Sequence, residues 1–203
     1  IIGGAKISDK IAVIENLLIK VDKLLIGGGM ANTFLAAQGY NMQKSLVESA
    51  KIEWAKELLT FPAAKEKLIL PVDLLAAAEF SNDAEFKQVT VDKIPENWQA
   101  LDIGMKTISL FQDEIMKAAT IVWNGPLGVF EMDNFDQGTI RVAKAVAASE
   151  GFSIIGGGDS VAAINKAGLE DKIDHISTGG GASLKVLEGK ILPGLDALDD
   201  ISQ

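Results

Sequence analysis

The chain is predicted to fold as an α/β protein, a three-layer domain with a mostly parallel sheet and helices on both faces. Three observations carry that expectation. Short apolar runs alternate with longer stretches whose apolar residues recur at helical spacing. The apolar runs end in glycine, and in the clear cases a helix follows, the order of right-handed strand–helix–strand crossovers. With 203 residues, 48% hydrophobic and 23% charged, the chain can bury a core without staples.

The elements follow in order. Ile1-Ile2 before Gly3-Gly4 reads as the end of a buried strand. A start of that kind is expected of a fragment or processed product, cut inside or just before a strand. Residues 9–20 carry Ile11, Ile14, Leu17 and Leu18 at helical spacing, and residues 23–26 form a short buried strand. A helix is predicted over 30–38, stopped by Gly39, and another over 46–59, ending before Pro62. Residues 68–70 and 74–80 are predicted strands, with 89–91 as the hairpin partner of the second. Helices at 107–119, 137–149 and 160–167 alternate with strands at 120–123, 152–155 and 175–177. A short helix at 182–188 follows, and the acidic tail, 196–203, is expected to lie on the surface or against a partner domain. No linker divides the chain, so 1–203 reads as a single domain.

Composition limits the partners. A net charge of −9 repels nucleic acid and anionic membrane surfaces, so neither is expected. No apolar run approaches the roughly 20 residues of a membrane-spanning helix. The absence of cysteine excludes disulfides and thiolate metal sites and suits a reducing compartment; a cytoplasmic monomer is expected. An anion site in so acidic a chain must draw on local cations, backbone N–H groups or a metal.

The glycines show where such a site lies. Gly3-Gly4, Gly27-Gly28-Gly29, Gly104, Gly125 with Gly128, Gly156-Gly157-Gly158 and Gly179-Gly180-Gly181 each follow an apolar run. Parallel strands end at one edge, so these loops are predicted to line one rim, where open Rossmann-like sheets bind ligands. Helix N-termini behind the loops offer free N–H groups and a positive dipole end, which favour phosphate. No Gly-x-x-x-x-Gly-Lys-Ser/Thr loop occurs, and no Gly-x-Gly-x-x-Gly with a following acid, so a dinucleotide reading is weak.

Charged residues gather on the predicted rim. Lys6 and Lys10 stand near a helix N-terminus, where the dipole disfavours cations; neutralising phosphoryl oxygens explains them, and plain solvated lysines are the alternative. Asp159, after three glycines, suits either a magnesium ligand or a helix N-cap. Glu131 suits either a ribose-binding carboxylate or an acid opening a helix. His175 reads as structural, and Trp54, Trp98 and Trp123 as core.

Five stretches together resemble phosphoglycerate kinase: Gly3-Gly4-Ala5-Lys6-Ile7-Ser8-Asp9-Lys10, residues 27–35, Trp123-Asn124-Gly125-Pro126-Leu127-Gly128-Val129-Phe130-Glu131, Gly156-Gly157-Gly158-Asp159-Ser160, and residues 177–184. They occur in the family's order along the whole chain, with Leu70-Pro71-Val72-Asp73 and Leu101-Asp102-Ile103-Gly104 between them. The resemblance implies the C-terminal, nucleotide-binding domain of a two-domain glycolytic kinase. In that family phosphoryl moves between 1,3-bisphosphoglycerate and ADP, giving 3-phosphoglycerate and ATP. By resemblance, Lys6 and Lys10 contact the transferred phosphoryl group and the nucleotide phosphates, and Asp159 holds Mg2+. Ser160 stands where the family's loop touches phosphate, beside Gly157 and Gly158. Glu131 resembles the ribose partner, and Asn124 a phosphate-side contact. Gly4, Gly28, Gly29, Leu101 and Leu127 resemble the lining of the nucleotide pocket. Gly179, Gly180 and Gly181 resemble the helix start that donates N–H groups to the moving phosphoryl.

Two residues depart from the family pattern: Met105 stands where proline is usual, and Lys185 where glutamate is usual. The family's phosphoglycerate site is a patch of arginines in its N-terminal domain, whereas this chain has one arginine, Arg141, inside a predicted helix. The chain alone is therefore expected to bind nucleotide with little or no turnover.

Overall fold

The computed structural model describes residues 1–177 and 179–192; Thr178 and the acidic tail discussed above lie outside the described residues. A parallel sheet forms its centre. Strand β1 (Leu24–Leu25) pairs with β2 (Leu68–Ile69), and β6 (Thr120–Asn124) pairs with β7 (Phe152–Gly156), which pairs with β8 (His175–Ser177). Ile2 joins the two groups by bridging Ile26 on one side and Asn124 on the other, both in parallel. The order across the sheet is therefore β2, β1, Ile2, β6, β7, β8. The reading of Ile1-Ile2 as a buried strand end holds, and the strand sits at the middle of the sheet.

Strand alternation sends consecutive side chains to opposite faces. Leu25, Trp123 and Ile155 pack against α5 (Met105–Ile115), α6 (Gln137–Ala148) and α7 (Gly158–Ala167). On the other face, Ile2, Leu24 and Ile26 pack against α1 (Ile11–Leu18), α2 (Gly29–Ala37), α3 (Ile52–Thr60) and α4 (Pro62–Lys67). Leu184 and Leu187 of α8 (Gly180–Leu187) close this second layer. Buried Val13, Ile14, Leu17 and Leu18 form one stripe on α1, as the 3.6-residue period requires.

A small antiparallel sheet of β3 (Asp73–Ala77), β4 (Phe86–Thr90) and β5 (Gln99–Ile103) packs beside α2 in the order β4-β3-β5, with β3 central. The expected hairpin is present, with Asp73 opposite Thr90. Its third strand was not expected, because Asp102, buried at 3% exposure, interrupts the apolar run of β5.

The helix expected over 46–59 divides. Glu48 donates its N–H to Thr33 Oγ1 at 3.1 Å, and its carboxylate accepts from Ser8 N at 2.9 Å and Ser8 Oγ at 2.7 Å. That strap holds the backbone extended until a short 3-10 turn at Ser49–Lys51, and α3 begins only at Ile52. Pro62, expected to end a helix, instead begins α4, where its missing N–H costs nothing.

Candidate nucleotide site

Five glycine loops meet on one rim, after Ile2, β1, β6, β7 and β8. Three of them, after Ile2, β1 and β6, are tied to one another by main-chain bonds. Gly4 N donates to Pro126 O at 2.9 Å, Gly28 N to Leu127 O at 2.9 Å, and Met30 N to Gly4 O at 3.0 Å. Such close approach requires glycine at position 28. Its φ of 70° and ψ of −171° lie in a region almost reserved for glycine. A Cβ there would stand 2.6 Å from Gly4 O and 2.8 Å from Pro126 O.

Gly104 is a correction to the single-rim expectation. It ends β5 of the antiparallel sheet, and the helix behind it is already capped. Asp73 accepts from Lys106 N at 3.1 Å and from Thr107 N and Oγ1 at 2.8 and 2.7 Å. Asp102 does the same for α6, accepting from Gly138 N at 2.7 Å. The helices on the rim differ. The N-caps of α2, α7 and α8 are Gly28, Gly157 and Gly179, and no side chain among the described residues caps them. The first turns of α7 and α8 leave orphan N–H groups at a positive dipole end on the rim, whereas in α2 Met30 N is already taken by Gly4 O.

The rim encloses two cavities that share Gly4, Ala5, Pro126 and Asp159. The larger, about 640 Å³, is walled by Leu74, Leu101, Leu127, Val129 and Met132, with Gly28, Gly29 and Glu131 also on its lining. Its floor is apolar and suits a planar base; the exposed carboxylate of Glu131 is placed for hydroxyls. The smaller, about 340 Å³, is lined by Lys6, Lys10, Asn124, Gly157, Gly158, Ser160 and Gly180. Gly181 lies one residue further along α8, exposed and outside both linings.

The two lysines hold different positions. Lys6 is exposed just before the 3-10 turn Ile7–Asp9. Lys10 is half-buried at the N-cap of α1, where its ammonium donates to Asn124 Oδ1. Asn124 is turned for this by donating its own Nδ2 to Gly156 O at 2.8 Å. Burial pushes the Lys10 ammonium below its ordinary range, opposed by the nearby Asp9, Asp159 and Glu188 carboxylates.

Asp159 is exposed in the first turn of α7 and is not its cap, which removes the capping alternative. Among the described residues no cluster of three metal-binding side chains occurs. Asp159 and Asp9 both line the smaller cavity, and so few carboxylates fit magnesium, which takes one or two of them and fills its shell with phosphate oxygens and water. Ser160 is fully buried and its hydroxyl oxygen accepts from Gly125 N at 2.6 Å. The hydroxyl keeps its own O–H as a donor, and Ser160 lines the smaller cavity.

Trp123 is core, its Nε1 donating to Gly125 O at 2.7 Å, and His175 sits exposed on the edge strand. Sequence reasoning missed Asn32, Leu46 and Phe80, which also line the larger cavity. Asn32 lies within the glycine stretch 27–35, which could have pointed to it; Leu46, just before Glu48, and Phe80, in the turn after β3, stand in no local motif.

A profile of the phosphoglycerate kinase family matches residues 1–190. The chain belongs to the phosphoglycerate kinase family. Among the family's curated members it is 59% identical to phosphoglycerate kinase of Moorella thermoacetica and 58% to that of Enterococcus faecalis, each over 201 residues. Those alignments cover 98% of this chain and 51% and 50% of the relatives, so the chain spans about half the length of the phosphoglycerate kinases it matches. The fold agrees. A phosphoglycerate kinase structure from Coxiella burnetii superposes with a TM-score of 0.93 at 47% identity, over 96% of this chain and 50% of that one. One from Pyrococcus horikoshii OT3 gives 0.83 at 36% identity, over 97% of this chain and 50% of that one.

Proposed function

We propose that this chain is the nucleotide-binding, C-terminal half of a phosphoglycerate kinase and that its rim binds Mg-ADP and Mg-ATP. One observation carries the reading: an apolar cavity with a carboxylate opens directly onto a second cavity of lysines, uncapped helix N-termini and two exposed aspartates, Asp9 and Asp159. Base and ribose fit the first, polyphosphate the second. This explains how a chain of net charge −9 can hold a polyanion, since the site uses N–H groups and two local cations.

In the roles this reading assigns, Glu131 takes the ribose hydroxyls and Lys10, with Asn124, the inner phosphates. Lys6 and the amides of Gly180 and Gly181 reach the phosphoryl group in transit. Magnesium, held through Asp159, would offset phosphate charge. Phosphoryl transfer depends on in-line placement and charge neutralisation rather than a side-chain nucleophile, and these groups supply both. The acceptor, 3-phosphoglycerate, needs a basic patch, and Arg141 is exposed on α6, bonded to Gln137. The acceptor site therefore belongs to a domain outside this chain, and the chain alone turns over little. A cytoplasmic monomer is the matching reading of location and assembly; no described helix is long and apolar enough to cross a membrane.

Calorimetry with Mg-ADP tests the proposal. Saturable one-site binding is expected, with Asp159→Ala and Lys6→Ala each weakening it about tenfold or more. A folded chain that takes up no Mg-ADP would contradict the reading.

A further inference from the structure

Helix α7 has a second end. Its N-terminus, at Gly158 and Asp159, lies on the phosphate cavity. Ten residues of helix then run about 15 Å to Ala167. One residue before that end, Lys166 reaches across to the segment that follows Gly128 on the rim. Its ammonium donates to Phe130 O at 3.0 Å and to Asp133 Oδ1 at 2.7 Å, and it lies 2.9 Å from Asp136 Oδ2. All three acceptors belong to residues 130–136, and Glu131 and Met132 of that segment line the base cavity.

The three contacts are unequal. Asp133 is 84% exposed, so its pairing is screened and weak. Asp136 is 8% exposed, and the Phe130 carbonyl precedes Glu131 directly, on a residue only 7% exposed. The bond to that carbonyl holds the main chain immediately before Glu131, and the contact with Asp136 ties Lys166 to a buried side chain at the far end of the segment. The far end of the segment is anchored independently, by fully buried Phe135 packed with Ala77, Ala84 and Leu101 and by the Asn134 bonds to Asn82 at 3.1 and 2.6 Å, whereas exposed Glu131 has no side-chain partner of its own among the described residues.

We propose that Lys166 is a positioning residue for the ribose end of the nucleotide site, tying the Glu131 segment to the same helix whose N-terminus faces the phosphates. The inference rests on the nucleotide reading above. Its consequence is selective: without the ammonium, the base and ribose half of the site loosens while the phosphate half stays built. A merely structural lysine would affect both halves alike, or neither.

The test is calorimetry with two probes, Mg-ADP and magnesium pyrophosphate, on the unaltered chain and on Lys166→Met, Lys166→Gln and Lys166→Arg. Lys166→Met is expected to weaken Mg-ADP about fivefold or more while pyrophosphate stays within about twofold, and Lys166→Arg to recover most of the loss. Lys166→Gln keeps a donor without the charge and should fall between; it carries the test if the methionine variant does not fold. Folded variants that bind Mg-ADP as the unaltered chain does, or that lose both probes equally, overturn the proposal. If the unaltered, folded chain binds pyrophosphate but not Mg-ADP, the nucleotide reading itself fails.

Discussion

The Lys10 ammonium donates to the Asn124 carboxamide, joining the loop after the central strand to the end of β6 across the floor of the phosphate cavity. Because Asn124 is held by Gly156 O, Lys10 is aimed before any ligand arrives. Such preorganisation lowers the ordering cost of binding.

Lys10 gives a pH signature. Burial lowers its folded-state value below 10.5, so the folded protein loses this proton at a lower pH than the unfolded chain does. Two results follow from that sign. Stability gains a small increment as pH rises through the lowered value toward the unfolded one. Anion affinity moves the other way, since only the charged lysine attracts phosphate. Mg-ADP affinity is therefore expected to begin falling at a pH below 10.5 in the unaltered chain, and the decline to flatten in Lys10→Met. Calorimetry as the pH is raised checks it.

Asp102 gives the opposite stability profile. Burial pushes its carboxyl up to about 8, with the Gly138 and Ile103 N–H groups pulling down and Asp136 pushing up. A raised folded value means the folded state holds the proton more tightly. The associated stability is full below the unfolded value of about 4 and is lost as pH rises toward 8. Asp102→Asn, which keeps one carbonyl acceptor for Gly138, is expected to flatten the fall in thermal midpoint between pH 5 and 8.

Met105 stands at the first position of α5 after the Gly104 N-cap, with its side chain exposed. Proline is favoured there because its N–H would be orphaned anyway, and Gly104, extended at φ −83° and ψ 172°, accepts a following proline. Met105→Pro is expected to stabilise the chain by about 0.5–1 kcal/mol. Chemical denaturation with unchanged slope would show this; a loss of stability would mean the Asp73 cap cannot tolerate the ring.

The sequence made the parallel layers legible because most strands there run from apolar residues into glycine; β2, which runs into Leu70-Pro71, is the exception. The rim followed from the same pattern, and so did the gathering of Lys6, Lys10 and Asp159. What stayed hidden depends on partners distant in sequence. Gly104 looks like the other strand-end glycines, yet Asp73, from another strand, occupies the helix end behind it. The bond by which Ser160 Oγ accepts from Gly125 N, 35 residues earlier, is likewise invisible in the local sequence. Lys166 reads as an ordinary helical lysine, because its acceptors lie 30 residues or more upstream. Leu46 fits a helix by spacing and is kept out of one by Glu48 bonding to Ser8 and Thr33.

The central claim is that glycine-capped helix ends, and not the aspartate-capped ones, form the phosphate site. Amide chemical shifts of the isotopically labelled chain during titration with Mg-ADP test this most directly. The account predicts large shifts at Gly158 and Gly180, with Gly104 and Gly138 nearly still. Saturation with no movement at Gly158 and Gly180, or movement centred on Gly104 and Gly138, would contradict it.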